Sequence, residues 1–140
     1  MLKVVLDTNI VLSSVSSKSP YRIILESLFK GQYELFVTTE ILLEYEEKLA
    51  ANFDKELAEI ILSALLLKRN VRKIETYFDL ELIQNDVDDN KFVNCAFAAN
   101  VHYLVSNDKH FNILKTTNFP KINLIKIDDF MDILVVLEKC

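Results

Sequence analysis

Acidic residues at four places in this 140-residue sequence have the type and position to hold a hard metal cation. Asp7 directly follows the apolar run Leu2–Leu6, and Asp108 closes the loop Ser106-Asn107-Asp108 after a second run, His102–Val105. Asp89 lies in Asp86-Val87-Asp88-Asp89-Asn90, ahead of a helical pattern. At about 100° per residue it projects within the apolar stripe of Phe92, Val93, Ala96 and Ala99, with Asp86 and Asp88 to either side. Capping that helix needs one aspartate, Asp88 or Asp89, and the segment supplies three. Glu44 flanks the stripe of Ile41, Leu42, Tyr45 and Leu49, and Glu40 stands one turn earlier on the same flank.

Taken singly, each acid is an ordinary loop, cap or surface residue. A carboxylate on a buried stripe is costly unless it is paired, hydrogen-bonded or metal-bound. Several carboxylates at one edge also repel, so the cluster persists when cations bind or some groups stay protonated. Oxygen donors favour Mg²⁺ or Mn²⁺. One or two such ions are expected, and two about 4 Å apart can activate a water and stabilise a leaving oxygen in phosphodiester cleavage.

The elements that must position these acids alternate. Strands are expected at 2–6, Tyr33–Val37, Val71–Ile74, His102–Val105 and Ile122–Ile127. A short helix follows Thr8, and Pro20 and Gly31 bracket another over 20–30. Thr38 or Thr39 caps a helix to Ala51, Asp54 caps one to Lys68, and Asp128 caps a last one to Leu137. Residues 79–88 read as acidic and irregular, and Asp88 or Asp89 starts a helix to Asn100. Strands apolar on both faces indicate a parallel sheet covered on both sides, with its ligand site beyond the C-terminal strand ends.

Composition narrows the class. Hydrophobic residues make up 51% and charged residues 26%, with mean hydropathy +0.18, which excludes intrinsic disorder. The length suits one domain over residues 1–140. The single glycine, Gly31, excludes a dinucleotide fingerprint and a P-loop. Cys95 and Cys140, with His102 and His110, make no disulfide framework or closed zinc site. Reduced thiols, no signal-peptide pattern and no run of 18 apolar residues lead to a cytoplasmic expectation with no membrane. The net charge of −5 is a weak argument against a polyanionic substrate. Two divalent ions contribute four positive charges and take it to −1.

Four segments, in order, resemble the PIN domain family, and within it the VapC-like toxin components of toxin–antitoxin systems. They are Val4-Val5-Leu6-Asp7-Thr8-Asn9, Thr39 through Tyr45, Asp86 through Phe92 and on to Cys95-Ala96, and Tyr103 through Asp108. The closing strand and helix, Ile122–Leu137, fit as well. The resemblance implies a three-layer α/β/α fold around a parallel sheet of four to five strands. It implies metal-dependent endonuclease action on RNA. Asp7, Glu44, Asp89 and Asp108 would be the metal-binding carboxylates, supported by hydrogen bonds from Asn9 and Ser106. Glu40, Asp86 and Asp88 are alternates. The family commonly has glycine at the position of Asn107 and an acid at that of His110. Toxins of this kind work as homodimers silenced by an antitoxin protein.

In the arrangement expected, Asp7 bridges both metals, Asp89 and Glu44 hold one ion, and Asp108 serves the other or its water shell. Lys18, Arg22 and Lys109 lie nearest the expected cleft edge and are the candidates for substrate phosphates. The run Lys68 through Lys73 reads as a solvated helix end. His102 reads as structural, and His110 is left to touch substrate. Helix 57–67 is apolar enough for a dimer interface, an antitoxin groove or the core. Thr8 and Asn9 stand where a phospho-receiver or a haloacid-dehalogenase-like phosphatase needs further acids. The remaining alternative is a non-catalytic PIN-like module that binds nucleic acid or acts as a scaffold.

Overall fold

The computed structural model describes residues 1–84 and 86–139. Cys140 and Asn85 lie outside the described residues. Five parallel strands, β1 (Lys3–Leu6), β2 (Glu34–Val37), β3 (Val71–Lys73), β4 (Tyr103–Val105) and β5 (Leu124–Ile125), form one sheet in the order β3-β2-β1-β4-β5. The helices are α1 (Thr8–Val15), α2 (Ile23–Phe29), α3 (Thr39–Asn52), α4 (Lys55–Leu67), α5 (Asn90–Ala99) and α6 (Ile127–Glu138). They complete the three-layer α/β/α arrangement expected from the sequence.

β1 occupies the centre because Val4, Val5 and Leu6 are wholly buried and can be covered from both sides. β2 and β3 then grow outward on one side of β1, and β4 and β5 on the other. The chain therefore reverses its direction of growth between β1 and β4, which opens a crevice at their C-terminal ends. Register places Leu6 opposite Val105, so Asp7 and Ser106 emerge side by side.

Local signals account for most boundaries. The Thr38 side chain accepts from the Ile41 amide at 3.2 Å, and Asp54 accepts from Leu57 at 2.7 Å. Gly31, at φ +79°, follows α2 where a left-handed residue is needed. Ala58, Ile61, Leu62 and Leu65 of α4 enter the core, whereas Ile60, Leu66 and Leu67 face outward. No described helix is long and apolar enough to cross a membrane.

Several element ends and caps differ from expectation. The helix expected from Pro20 begins at Ile23, and the fifth strand is only Leu124–Ile125. Asp128 does not cap α6. The Asn107 side chain accepts from the Ile127 amide at 3.0 Å, and Asp128 instead accepts the Tyr21 hydroxyl. Asp89, one of the two expected starts, stands at the N-cap position of α5 but makes no side-chain cap bond, and Asp86 instead caps the short 3-10 turn Val87–Asp89 ahead of it, accepting from Asp88 N–H at 3.2 Å. The unexpected 3-10 helix Lys109–Lys115 is anchored by buried Phe111 and Leu114.

Candidate metal centre

The first carboxylate is fixed by the sheet itself. Asp7 N–H donates to the Val105 carbonyl at 3.1 Å, extending the β1–β4 ladder one residue into the crevice. Its side chain is buried, and Oδ2 accepts the Ser106 hydroxyl at 2.7 Å. Ser106 Oγ in turn accepts from Asp108 N–H at 3.0 Å. Asp108 Oδ1 accepts from His110 N–H at 2.9 Å and opens the 3-10 helix.

Glu44 is positioned from α3. The neighbouring Tyr45, wholly buried, donates its hydroxyl to the Leu6 carbonyl at 2.5 Å and ties α3 to the end of β1. Glu44 then accepts the Thr8 hydroxyl on Oε2 and the Lys91 ammonium at 2.8 Å on Oε1. Asp89 stands at the start of α5, which packs across β1, β2 and β4. Asn90 clamps this turn, with its side-chain amide bonded to both Ile83 N–H and C=O at 2.9 Å. Asn94 bonds Leu80 and Asp79, so two asparagines of α5 fasten the irregular acidic stretch.

Asp7, Glu44, Asp89 and Asp108 thus line one cleft of about 200 Å³, together with Asp86 and Asp88. Glu40 does not join them; it borders a separate groove beside Thr38 and Ile74–Tyr77. Asn9 stands exposed on the cleft wall, and among the described residues its side chain gives no hydrogen bond to a carboxylate. Lys18 and Lys109 are exposed. Arg22 pairs with Glu26 at 3.4 Å and borders an apolar cavity near Leu25 and Leu57. Lys48, one turn after Glu44, lines the cleft, and its (i, i+4) spacing from that glutamate is the sequence signal for it. Lys91 was legible only as the lone cation beside the aspartate cluster.

Electrostatics set these acids apart from ordinary ones. Burial pushes Asp7 up to about 6, partly offset by the Ser106 hydrogen bond, with Asp108 and Glu44 adding repulsion. Burial, then the negative charges of Asp86, Asp7 and Asp108, pushes Asp89 up to about 7, against a lowering by His110. Burial pulls Lys91 down, but Glu44 and Asp88 outweigh it and hold the ammonium above the usual lysine range. His102 keeps its structural role, its Nδ1 accepting from Lys3 N–H at 2.9 Å. His110 does not stand apart with the substrate: its Nδ1 lies 3.3 Å from Asp108 Oδ1 and 3.6 Å from Asp89 Oδ2.

A divalent cation fits this donor set. Asp89 Oδ2 and His110 Nδ1 are both buried without a hydrogen-bond partner, and such orphaned atoms call for a ligand. One ligand atom each from Asp86, Asp89 and His110 lies within 4.8 Å of the others.

The PIN domain family model matches residues 3–110. This chain is a member of the PIN domain family. The match spans β1 to the start of the 3-10 helix and so contains every carboxylate of the cleft. No curated protein matches the chain. Among solved structures, this PIN domain is similar to VapBC2 from Rickettsia felis bound to a DNA fragment from their promoter. The identity is 21% and the TM-score 0.61, covering 89% of this chain and 98% of that one. It is also similar to the T. brucei RRP44 PIN domain, with 9% identity and TM-score 0.54 over 99% of this chain and 83% of that one. At these identities the likeness establishes the fold alone.

Proposed function

We propose that this chain is a metal-dependent endoribonuclease, a single domain over residues 1–140 acting in the cytoplasm as the toxin of a toxin–antitoxin pair. The observation that carries the reading is the convergence of Asp7, Glu44, Asp89 and Asp108, from four separate elements, on one cleft at the sheet's switch point. Family membership supports nuclease chemistry, and the likeness to the VapBC2 structure supports the toxin role.

Asp7, Asp89 and Asp108, with Glu44 once it leaves Lys91, would hold one or two Mg²⁺ or Mn²⁺ ions. Such ions supply Lewis-acid polarisation of the phosphodiester and a more acidic water. The remaining work falls to the chain's own groups. Ser106 and Thr8 fix the carboxylates that face the cation. Asp89, whose carboxyl burial and neighbouring acids hold up at about 7 without a cation, gives up its proton when a cation binds. Lys48 on the cleft wall and Lys109 beside Asp108 are placed to draw in substrate phosphates. The outward apolar residues Leu43, Ile60, Leu66 and Leu67 support docking of an antitoxin or a second copy.

The test is cleavage of varied RNAs with and without Mn²⁺ or Mg²⁺, comparing the wild type with Asp7→Asn. Metal-dependent cutting abolished by the substitution is the expected result. Identical, uncut RNA throughout, from protein verified free of any bound partner, would leave a nucleic-acid-binding or scaffold module in its place.

A further inference from the structure

His110 Nδ1 is buried without a hydrogen-bond partner. The residue is held from both sides: its backbone N–H caps onto Asp108, and the next residue, Phe111, is wholly buried against Phe92. The backbone that carries the imidazole is therefore fixed. The ring Nδ1 lies 3.3 Å from Asp108 Oδ1 and 3.6 Å from Asp89 Oδ2, and Asp89 is only 9% exposed. Neither His110 Nδ1 nor Asp89 Oδ2 has a hydrogen-bond partner, although each is enclosed. The half-buried carboxylate of Asp86 completes a set of two oxygens and one nitrogen within 4.8 Å.

We propose that His110 Nδ1 is a metal ligand which, with Asp86 and Asp89, makes this a transition-metal site that prefers Mn²⁺ to Mg²⁺. The inference rests on the metal-dependent reading above and sharpens it. Mg²⁺ demands near-octahedral oxygen coordination and sheds water reluctantly. Imidazole nitrogen is a borderline donor that suits first-row transition ions, whose affinities exceed those of Mg²⁺ at such sites. Asp86 gains a purpose here beyond capping. One of its oxygens accepts from Asp88 N–H, which orients the carboxylate. The rest of the ring borders a second cavity, by Ile83 and Ile113.

The test uses Mn²⁺ alone on the full chain, read by pulsed electron paramagnetic resonance and by calorimetric titration with Mn²⁺ and with Mg²⁺. The expected result is nitrogen modulation on bound Mn²⁺ that disappears in His110→Ala. The same variant should lose about tenfold or more in Mn²⁺ affinity and change little toward Mg²⁺. Labelling histidine nitrogen in the wild type gives the same answer if the variant does not fold, since His102 lies at the opposite end of β4. Bound Mn²⁺ without nitrogen modulation, or no Mn²⁺ binding, overturns the proposal and leaves His110 as an ion-pair partner of the aspartates. Nitrogen modulation in a protein that cuts no RNA would instead keep the metal site and reject the nuclease.

Discussion

Lys91 places its ammonium 2.8 Å from Glu44, with only 10% of the lysine side chain and 18% of the glutamate exposed. A cation carried by the chain itself thus occupies one of the carboxylates expected to serve a metal. Lys91 also donates to the Asp88 carbonyl at 3.0 Å, so it fastens α3 to the acidic turn ahead of α5.

Lys91→Met is expected to destabilise the metal-free chain by roughly 1–3 kcal/mol, because it leaves a shielded carboxylate without its partner. Added Mn²⁺ should recover much of that loss, since Glu44 is then free to serve the ion. Urea unfolding with and without Mn²⁺, in a double-mutant cycle with Glu44→Gln, measures both effects. A loss that Mn²⁺ leaves unchanged would mean that Glu44 does not reach the metal.

The raised carboxyls give the metal-free protein an inverted pH dependence. Asp7 and Asp89 bind protons more tightly in the folded chain, at about 6 and about 7, than in the unfolded one. Between the ordinary aspartate value near 4 and these values the folded state holds more protons, so its stability falls as pH rises. Denaturation from pH 5 to pH 8 should show a drop of a few kcal/mol. Saturating Mn²⁺ should abolish it by stabilising the ionised forms, and Mn²⁺ affinity should weaken below about pH 6. A flat profile without metal would place these carboxyls back in the ordinary range.

Tyr45→Phe removes one oxygen from a wholly buried site and leaves the Leu6 carbonyl unpaired. A loss of about 1–2 kcal/mol is expected in urea unfolding. Because the same bond ties α3 to the end of β1, RNA cleavage should fall as well, with Mn²⁺ affinity the readout that separates a displaced Glu44 from a global loss of fold.

Asn107→Ala should cost about 1 kcal/mol, since the Asn107 side chain satisfies the first amide of α6. Asp128→Ala should cost less, because that residue accepts a bond only from the half-buried Tyr21. Thermal unfolding of the two variants side by side decides which residue caps the helix.

The sheet was readable because β1 and β4 are short and apolar on both faces, and only a buried parallel position suits such strands. The acids were readable for a related reason: Asp7 and Asp108 had to follow strand ends. Asp89 could be placed from its helical stripe, but the pattern could not show that Asp86 caps a short 3-10 turn ahead of it or that the Asp89 side chain makes no cap bond. The His110 nitrogen was out of reach because its environment comes from a 3-10 helix with little periodicity, stitched to α5 through Phe111 and Phe92. Glu40 and Glu44 shared one flank in projection. What separates them is the depth of α3 against β1, set by the Tyr45 hydroxyl. Lys91 and Lys48 are long side chains whose reach depends on where other elements end, which spacing alone does not give.

The Ser106 hydroxyl has one proton and spends it on Asp7 Oδ2, because its own oxygen already receives Asp108 N–H. That gives the pair a fixed polarity. A proton arriving at Asp7 must compete with that bond and with a backbone hydrogen bond from Thr8, both of which favour the ionised carboxylate. Acid and cation then contend for one carboxylate, and a serine with no charge of its own biases that contest toward the ionised form.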